Sequence, residues 1–225
     1  MSKHPLGKWF PALISAAVLA VFAVIGSALV GYSYQGTAER IEENERQALL
    51  DLLGQIVPQA RYNNDMLSDT IKLQGVAELG GQPVTVYRAR RNGEDVAAIF
   101  SPVVTPGYAG KMSLIVGVYS DGKVAGVRVL THHETPGLGD KLEIERSNWI
   151  TGFDGRSIGN PPLERWGVKR DGGEFDQFTG ATITPRQATG AVKRTLLYFA
   201  HNQNRLFQAK AQANAQNIAT GHNDG

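Results

Sequence analysis

The sequence predicts an α+β protein: an antiparallel sheet packed with helices, preceded by one amino-terminal transmembrane helix. Three observations predict it. No Asp, Glu, Lys, Arg or His occurs from Trp9 to Tyr32. Two pairs of β-rich runs flank turn signals between Val84 and Leu130. An amphipathic pattern with a marked start follows Thr184.

At a rise of about 1.5 Å per residue, the uncharged run crosses a hydrocarbon core of about 30 Å. A cleaved leader is the competing reading, since Gly26-Ser27-Ala28 supplies small residues for a cleavage site. The apolar run is longer than the roughly 7–15 residues usual there, which favours a retained helix over residues 9–32. Trp9 and Phe10 at one end, and Tyr32 and Tyr34 at the other, fit interfacial belts in contact with lipid. Lys3, Lys8 and the terminal amine precede the span, while Arg40 and Arg46 follow it. The amine turns an even balance toward residues 1–8 inside the cytoplasm and the remainder outside.

Residues 33–75 read as a helical linker. From Thr37 to Ile56, Ile41, Leu49, Leu52, Leu53 and Ile56 give an incomplete apolar stripe, with glutamates and arginines on a solvated face. Pro58 ends it. The folded domain is expected over 76–208. Val84–Ala89 and Val96–Phe100 flank Asn92-Gly93, and Lys111–Tyr119 and Val124–Leu130 flank Ser120-Asp121-Gly122-Lys123, so each pair predicts a hairpin. Val116, Val118, Val127 and Val129 suit the sheet surfaces. A short helix is expected near Lys141–Ile150, then a Gly/Pro-rich stretch to Pro162. In the last helix Thr184 is the expected cap, Pro185 the first helical residue and Gln187 the partner of a capping box. Ala188, Val192, Thr195, Leu196 and Phe199 form the face expected to pack on the sheet. The Ala/Gln/Asn-rich segment 209–225 has little to bury and is expected to be disordered.

Composition removes several chemistries. Cysteine is absent, which excludes disulfides, a thiol nucleophile, thiolate zinc sites and all-Cys iron–sulfur clusters. Lys+Arg total 23 against 21 Asp+Glu, so the excess of positive charge that marks a nucleic-acid binder is missing. His132-x-Glu134 lacks the remainder of a metal site. Gly110-Lys111-Met112-Ser113 is no phosphate loop, because Thr105 stands where its first glycine belongs, and Gly137-x-Gly139 meets Leu142 where a dinucleotide fingerprint needs a third glycine.

Two segments carry chemistry. Asp176-Gln177-Phe178-Thr179-Gly180-Ala181-Thr182 immediately precedes the last helix, where unpaired N–H groups favour an anion. Gly180 allows close backbone approach, and ordinary turn-and-cap chemistry explains the local pattern as well. Glu134-Thr135-Pro136-Gly137-Leu138-Gly139 ends the last strand; Glu134, Thr135 and Leu138 offer polar and apolar contact to a flat ring, and Gly137 permits a tight backbone. A plain strand-to-helix turn is the alternative there.

Asp176-x-x-Thr179-Gly180-Ala181-Thr182 resembles the D-x-x-(S/T)-G-A-T flavinylation motif. With Asp171–Phe178, Ile183–Arg186, the His132–Gly139 segment and the amino-terminal anchor, nearly the whole chain resembles the G subunit of the Rnf (Rsx) electron-transport complex, an FMN-binding domain family. That resemblance implies one FMN per chain, joined through its phosphate to Thr182 by an FAD-dependent FMN transferase, with Asp176 serving the transferase or the turn. It implies that the Glu134–Gly139 loop lies by the isoalloxazine. Lys169 and Arg170 then offer positive charge near the flavin or its phosphate, or are simply surface residues. The resemblance implies an electron carrier without a substrate-transforming site of its own, and the apolar span with its flanking charges implies a bacterial inner membrane with the domain periplasmic. The implied partners are iron–sulfur and flavin subunits passing electrons between ferredoxin and NAD. The C subunit of a sodium-pumping NADH:quinone reductase, and a non-redox assembly protein, are the alternatives.

Overall fold

The computed structural model describes residues 10–209, and the chain divides after Leu50 into two units. Residues 1–8, Trp9 of the aromatic belt and the expected disordered tail beyond Ala209 lie outside the described residues.

Helix α1 spans Phe10–Ile56 as one element of 47 residues. The predicted span and the helix read from Thr37 run on as one helix. Ser33, Tyr34, Gln35 and Gly36 stand between them, and the one glycine among these costs about 1 kcal/mol in a helix interior, too little to stop propagation. In the first unit, Leu13–Val30 has a mean hydropathy of 2.6 and no part of it is buried, so this helix is long and apolar enough to cross a membrane. Its large apolar side chains point outward on every side, from Leu13 through Phe22 to Val30. Such an all-round apolar helix needs an apolar surround other than its own chain.

Beyond Ile56 the segment read as a helical linker changes character. A short 3-10 turn covers Gln59–Arg61, and strand β1 occupies Thr70–Leu73. Four residues give too short an alternation for β1 to stand out in the sequence. Strands β2 (Val84–Arg91), β3 (Glu94–Pro106), β4 (Lys111–Tyr119) and β5 (Val124–Thr131) follow in a five-stranded antiparallel meander of spatial order β1-β2-β3-β4-β5. Both predicted hairpins are present, and Asn92 and Gly93 both adopt the positive φ their turn demands (54° and 86°). Pro102, which has no N–H to donate, sits where the β3–β4 register slips.

Side chains alternate across the pleat. On one face Val84, Val86, Ala98, Phe100, Leu114, Val116 and Val118 meet helix α2 (Ile183–Gln208) through Ala188, Ala191, Val192, Leu196 and Phe199. The predicted helix face is therefore the packed one, and it includes the buried Thr195. On the other face Ile99 and Ile115 are buried where Leu53, Ile56 and Val57 pack. Ile56 lies so close to Gly117 and Gly126, register partners on β4 and β5, that a Cβ at Gly117 would collide with its side chain.

Between β5 and α2 the chain forms short 3-10 turns. The helix expected over Lys141–Ile150 is instead two such pieces, Asp140–Leu142 and Asn148–Phe153. The cause is Ser147, whose hydroxyl donates to the Lys141 carbonyl (2.5 Å) and accepts from Trp149 N (3.2 Å), offering the backbone an alternative to a helix. Trp149, Phe153, Trp166, Phe175 and Phe178 pack edge-to-face, tilted and stacked, and hold this loop-rich region together.

Candidate functional site

The two motifs come together at the amino end of α2. Phe178–Ala181 forms a tight turn, with Ala181 N donating to the Phe178 carbonyl (3.1 Å) and Gly180 at φ 84°. A residue with a Cβ is strained at that φ, and an added Cβ would also stand 3.2 Å from Leu138 Cδ2. Leu138 and the Thr179-Gly180-Ala181-Thr182 segment are thus direct neighbours. Thr179 and Gly180 are exposed, while Ala181 is half-buried against the core.

The helix starts earlier than the sequence suggested. Thr182 is the cap residue, in helical conformation (φ −84°, ψ −28°), and its side chain makes no capping hydrogen bond. Arg186 N donates to the Thr182 carbonyl at 3.3 Å, which closes the first turn. Thr184, the expected cap, is fully buried inside that turn and donates its hydroxyl to Glu134 Oε2 at 2.6 Å. A buried carboxylate is a stronger acceptor partner than an orphan backbone N–H is a donor, so the capping-box reading fails. Pro185 falls two residues past Ile183 and is still tolerated, because the first four helical N–H groups lack intrahelical partners.

Glu134 is buried and uses both oxygens. Oε1 accepts from Tyr108 N (2.9 Å) and Ala109 N (3.2 Å) at the β3–β4 turn, and Oε2 accepts from Thr184. Its own N–H donates to His132 Nδ1 (3.1 Å), which fixes the tautomer that donates Nε2–H to Glu143 at 2.6 Å. Thr135 is exposed, and its carbonyl accepts from Leu138 N and Gly139 N (3.1 and 3.2 Å), folding the loop on itself with Gly137 at φ 79°.

The loop Lys169–Phe175, which opens with a 3-10 turn over Lys169–Asp171, leads into the motif. Lys169 Nζ pairs with Asp176 at 2.6 Å, with both side chains more than half exposed. Arg170 N donates to Gln177 Oε1, and the Asp176 carbonyl accepts from Trp149 Nε1 at 2.8 Å. Arg186, on the first turn of α2, grips Asp171 through Nε and Nη2 (2.5 and 2.8 Å). The Arg186 guanidinium holds the Asp171 carboxyl below the usual range, and Asp171 in turn raises Arg186.

Sequence reasoning missed Tyr108, and it named Ile183, Asp171 and Arg186 only as carriers of the resemblance, not the Arg186–Asp171 pair or the exposure of Ile183. Among the described residues from Asp51 onward, the markedly exposed large apolar side chains are Tyr108 (71%), Leu138 (43%) and Ile183 (40%). All three belong to segments that Glu134 and Gly180 draw together. An aromatic at a hairpin tip and an isoleucine beside a motif threonine were the available signals.

Residues 107–197 match the family model of the FMN-binding domain, and residues 8–56 match that of the RnfG N-terminal region. The G subunit of the ion-translocating oxidoreductase complex of Pseudoalteromonas atlantica is 43% identical over 91% of this chain and 95% of its own length. The chain belongs to this G-subunit family. Its counterpart in Shewanella loihica agrees, at 45% identity over 90% of this chain and 96% of that protein. The C subunit of the Na(+)-translocating NADH-quinone reductase from Parabacteroides distasonis, a solved structure, is 20% identical over 61% of this chain and 69% of its own, with a TM-score of 0.39. So distant a likeness carries no functional argument. The matched FMN-binding region contains β4, β5, the Glu134 loop and the amino end of α2, including Thr182.

Proposed function

We propose that this chain is the membrane-anchored electron carrier of an ion-translocating oxidoreductase complex, with one FMN joined through its phosphate to Thr182. The observation that carries this reading is Thr182 itself. It stands at the helix end of a matched FMN-binding domain, with its hydroxyl free of any capping bond and an open apolar rim beside it.

The residues present fit the group. A phosphodiester on Thr182 Oγ1 lies at the positive end of the α2 dipole, next to N–H groups without helical partners. Gly180 keeps side-chain bulk away from the attachment point. Leu138, Ile183 and Tyr108 offer apolar surface to a planar ring, and Thr135 a polar edge. The bound flavin supplies exchange of one or two electrons, chemistry that belongs to the cofactor. A threonine hydroxyl is a weak nucleophile at neutral pH, so a separate FAD-dependent FMN transferase installs the group. In that step Oγ1 forms the new bond to the FMN phosphorus of FAD and AMP departs. Asp176, exposed and paired with Lys169, is accessible for recognition by that enzyme. Anchored by α1, the domain works on the periplasmic side and exchanges electrons with iron–sulfur and flavin subunits between ferredoxin and NAD.

Mass spectrometry of the chain co-expressed with an FMN transferase tests the linkage. The expected result is a gain of one FMN minus water on the peptide containing Thr182, absent from Thr182→Ala, which folds normally because the hydroxyl holds nothing in place. Acid-stable flavin retained by Thr182→Ala overturns the site. Orientation is tested separately with a reporter fused after Gly225: periplasmic activity is expected, and cytoplasmic activity reverses the topology.

A further inference from the structure

Glu134 was expected at the flavin ring, yet the structure spends both of its oxygens on the protein. Three segments meet at one buried carboxylate: the β3–β4 turn through Tyr108 N and Ala109 N, the amino end of α2 through Thr184 Oγ1, and the Glu134 loop by bearing the residue itself. The surroundings are shaped to that side chain. A Cβ at Gly139 would come within 2.5 Å of Glu134 Oε2, and one at Gly107 would collide with Oε1. Gly107 N also bonds the Gly110 carbonyl at 2.5 Å, so the turn closes around the carboxylate. A buried carboxylate with three donors and a helix amino terminus beside it is well stabilised; the same group with any donor removed is left partly unpaired in a dry site.

From this arrangement we infer that Glu134 is the positioning residue of the flavin attachment site. Through Thr184, two residues beyond Thr182 on the same helical turn, it sets where the acceptor hydroxyl stands. Through Tyr108 N and Ala109 N it sets where the exposed Tyr108 rim stands relative to that hydroxyl. One carboxylate therefore fixes both the phosphate anchor and the apolar surface that receives the ring. This inference rests on the proposed attachment of FMN to Thr182. Group transfer depends steeply on the placement of the reacting oxygen, so the brace acts on the rate of modification.

The test follows modification of the purified full-length chain in detergent by a purified FMN transferase with FAD, with intact mass as the readout. Circular dichroism and thermal denaturation accompany each variant. Thr184→Val removes only the hydroxyl that donates to Glu134. Glu134→Leu keeps the volume and removes all three acceptor bonds. Glu134→Gln keeps the two backbone bonds through its amide oxygen and lets its NH2 donate to Thr184. The expected result is a fall in kcat of modification of about tenfold for Thr184→Val and more for Glu134→Leu, the scale of one lost charge-assisted bond or several. KM for the chain stays within about twofold, because the exposed Asp176 offered to the transferase is unchanged, and Glu134→Gln recovers most of the rate. The flavin fluorescence of modified Thr184→Val also departs from that of the unsubstituted chain. Folded Thr184→Val modified at the unsubstituted rate overturns the role of Glu134, and it decides the matter even where Glu134→Leu does not fold. An unsubstituted chain that never gains FMN at Thr182 overturns the attachment reading, and this role falls with it.

Discussion

The two ends of helix α2 are built on opposite plans. At the carboxyl end two arginines bind the carbonyls of Leu206, Phe207 and Ala209. Arg88 is 2% exposed, and its Nη1 donates to the carbonyls of Leu206, Phe207 and Ala209 while Nη2 pairs with Asp69. Arg90 donates to the Phe207 carbonyl (2.6 Å) and Asp69 (2.8 Å), and its guanidinium lies 5.7 Å from the Phe207 ring centroid. Two cations thus close the negative end of the dipole. At the amino end the side chains of Thr184 and Arg186 hold the helix in place, but the Thr182 hydroxyl caps nothing. A helix clasped by arginines at one end and held, but left uncapped by Thr182, at the other fits the attachment role proposed for Thr182.

The contrast can be broken from either end. Arg88→Leu should have the largest effect on stability, about 3 kcal/mol, because it strips donors from buried carbonyls and takes one of two arginines from Asp69. A urea midpoint close to that of the unsubstituted protein would show that the carboxyl end is not the anchor. At the open end, Gly180→Ala places a side chain at φ 84° beside Leu138 and should cost about 1–2 kcal/mol. It should also slow modification of Thr182, with thermal denaturation and intact mass separating the two effects. The smallest effect belongs to Asp171→Asn, which removes an exposed pair and should shift the melting temperature only marginally at neutral pH. Because Arg186 depresses the Asp171 carboxyl, that contribution is present above the ordinary carboxylate range, near pH 4, and is lost as pH falls through the lowered value. The difference between Asp171→Asn and the unsubstituted chain should therefore vanish in acid; a difference that persisted there would assign it to packing.

The arginine clasp was legible only in part. Val84, Val86, Arg88 and Arg90 continue one alternating row of β2, a pattern that suggests two apolar residues facing inward and two cations facing water. The cations face inward because α2 ends above them and its carbonyls need donors. The capping box failed for a related reason. Thr184 and Gln187 have the right spacing, but a carboxylate fifty positions earlier in the chain claims the threonine. Lys169, read either as a charge near the flavin or as a surface residue, is exposed and pairs with Asp176.

What the sequence determined by itself is what local physics determines. Uncharged length marks the apolar helix, period-two runs with Asn-Gly and Asp-Gly turns mark the hairpins, and period 3.6 marks the buried face of α2. Each depends on neighbours within a few residues. The tertiary structure alone decided which polar groups meet: Glu134 with Tyr108, Ala109 and Thr184, Arg88 with Asp69 and the end of α2, Leu138 with Gly180. Buried donors and acceptors must find partners wherever the fold brings them, and those partners carry no mark in the local pattern.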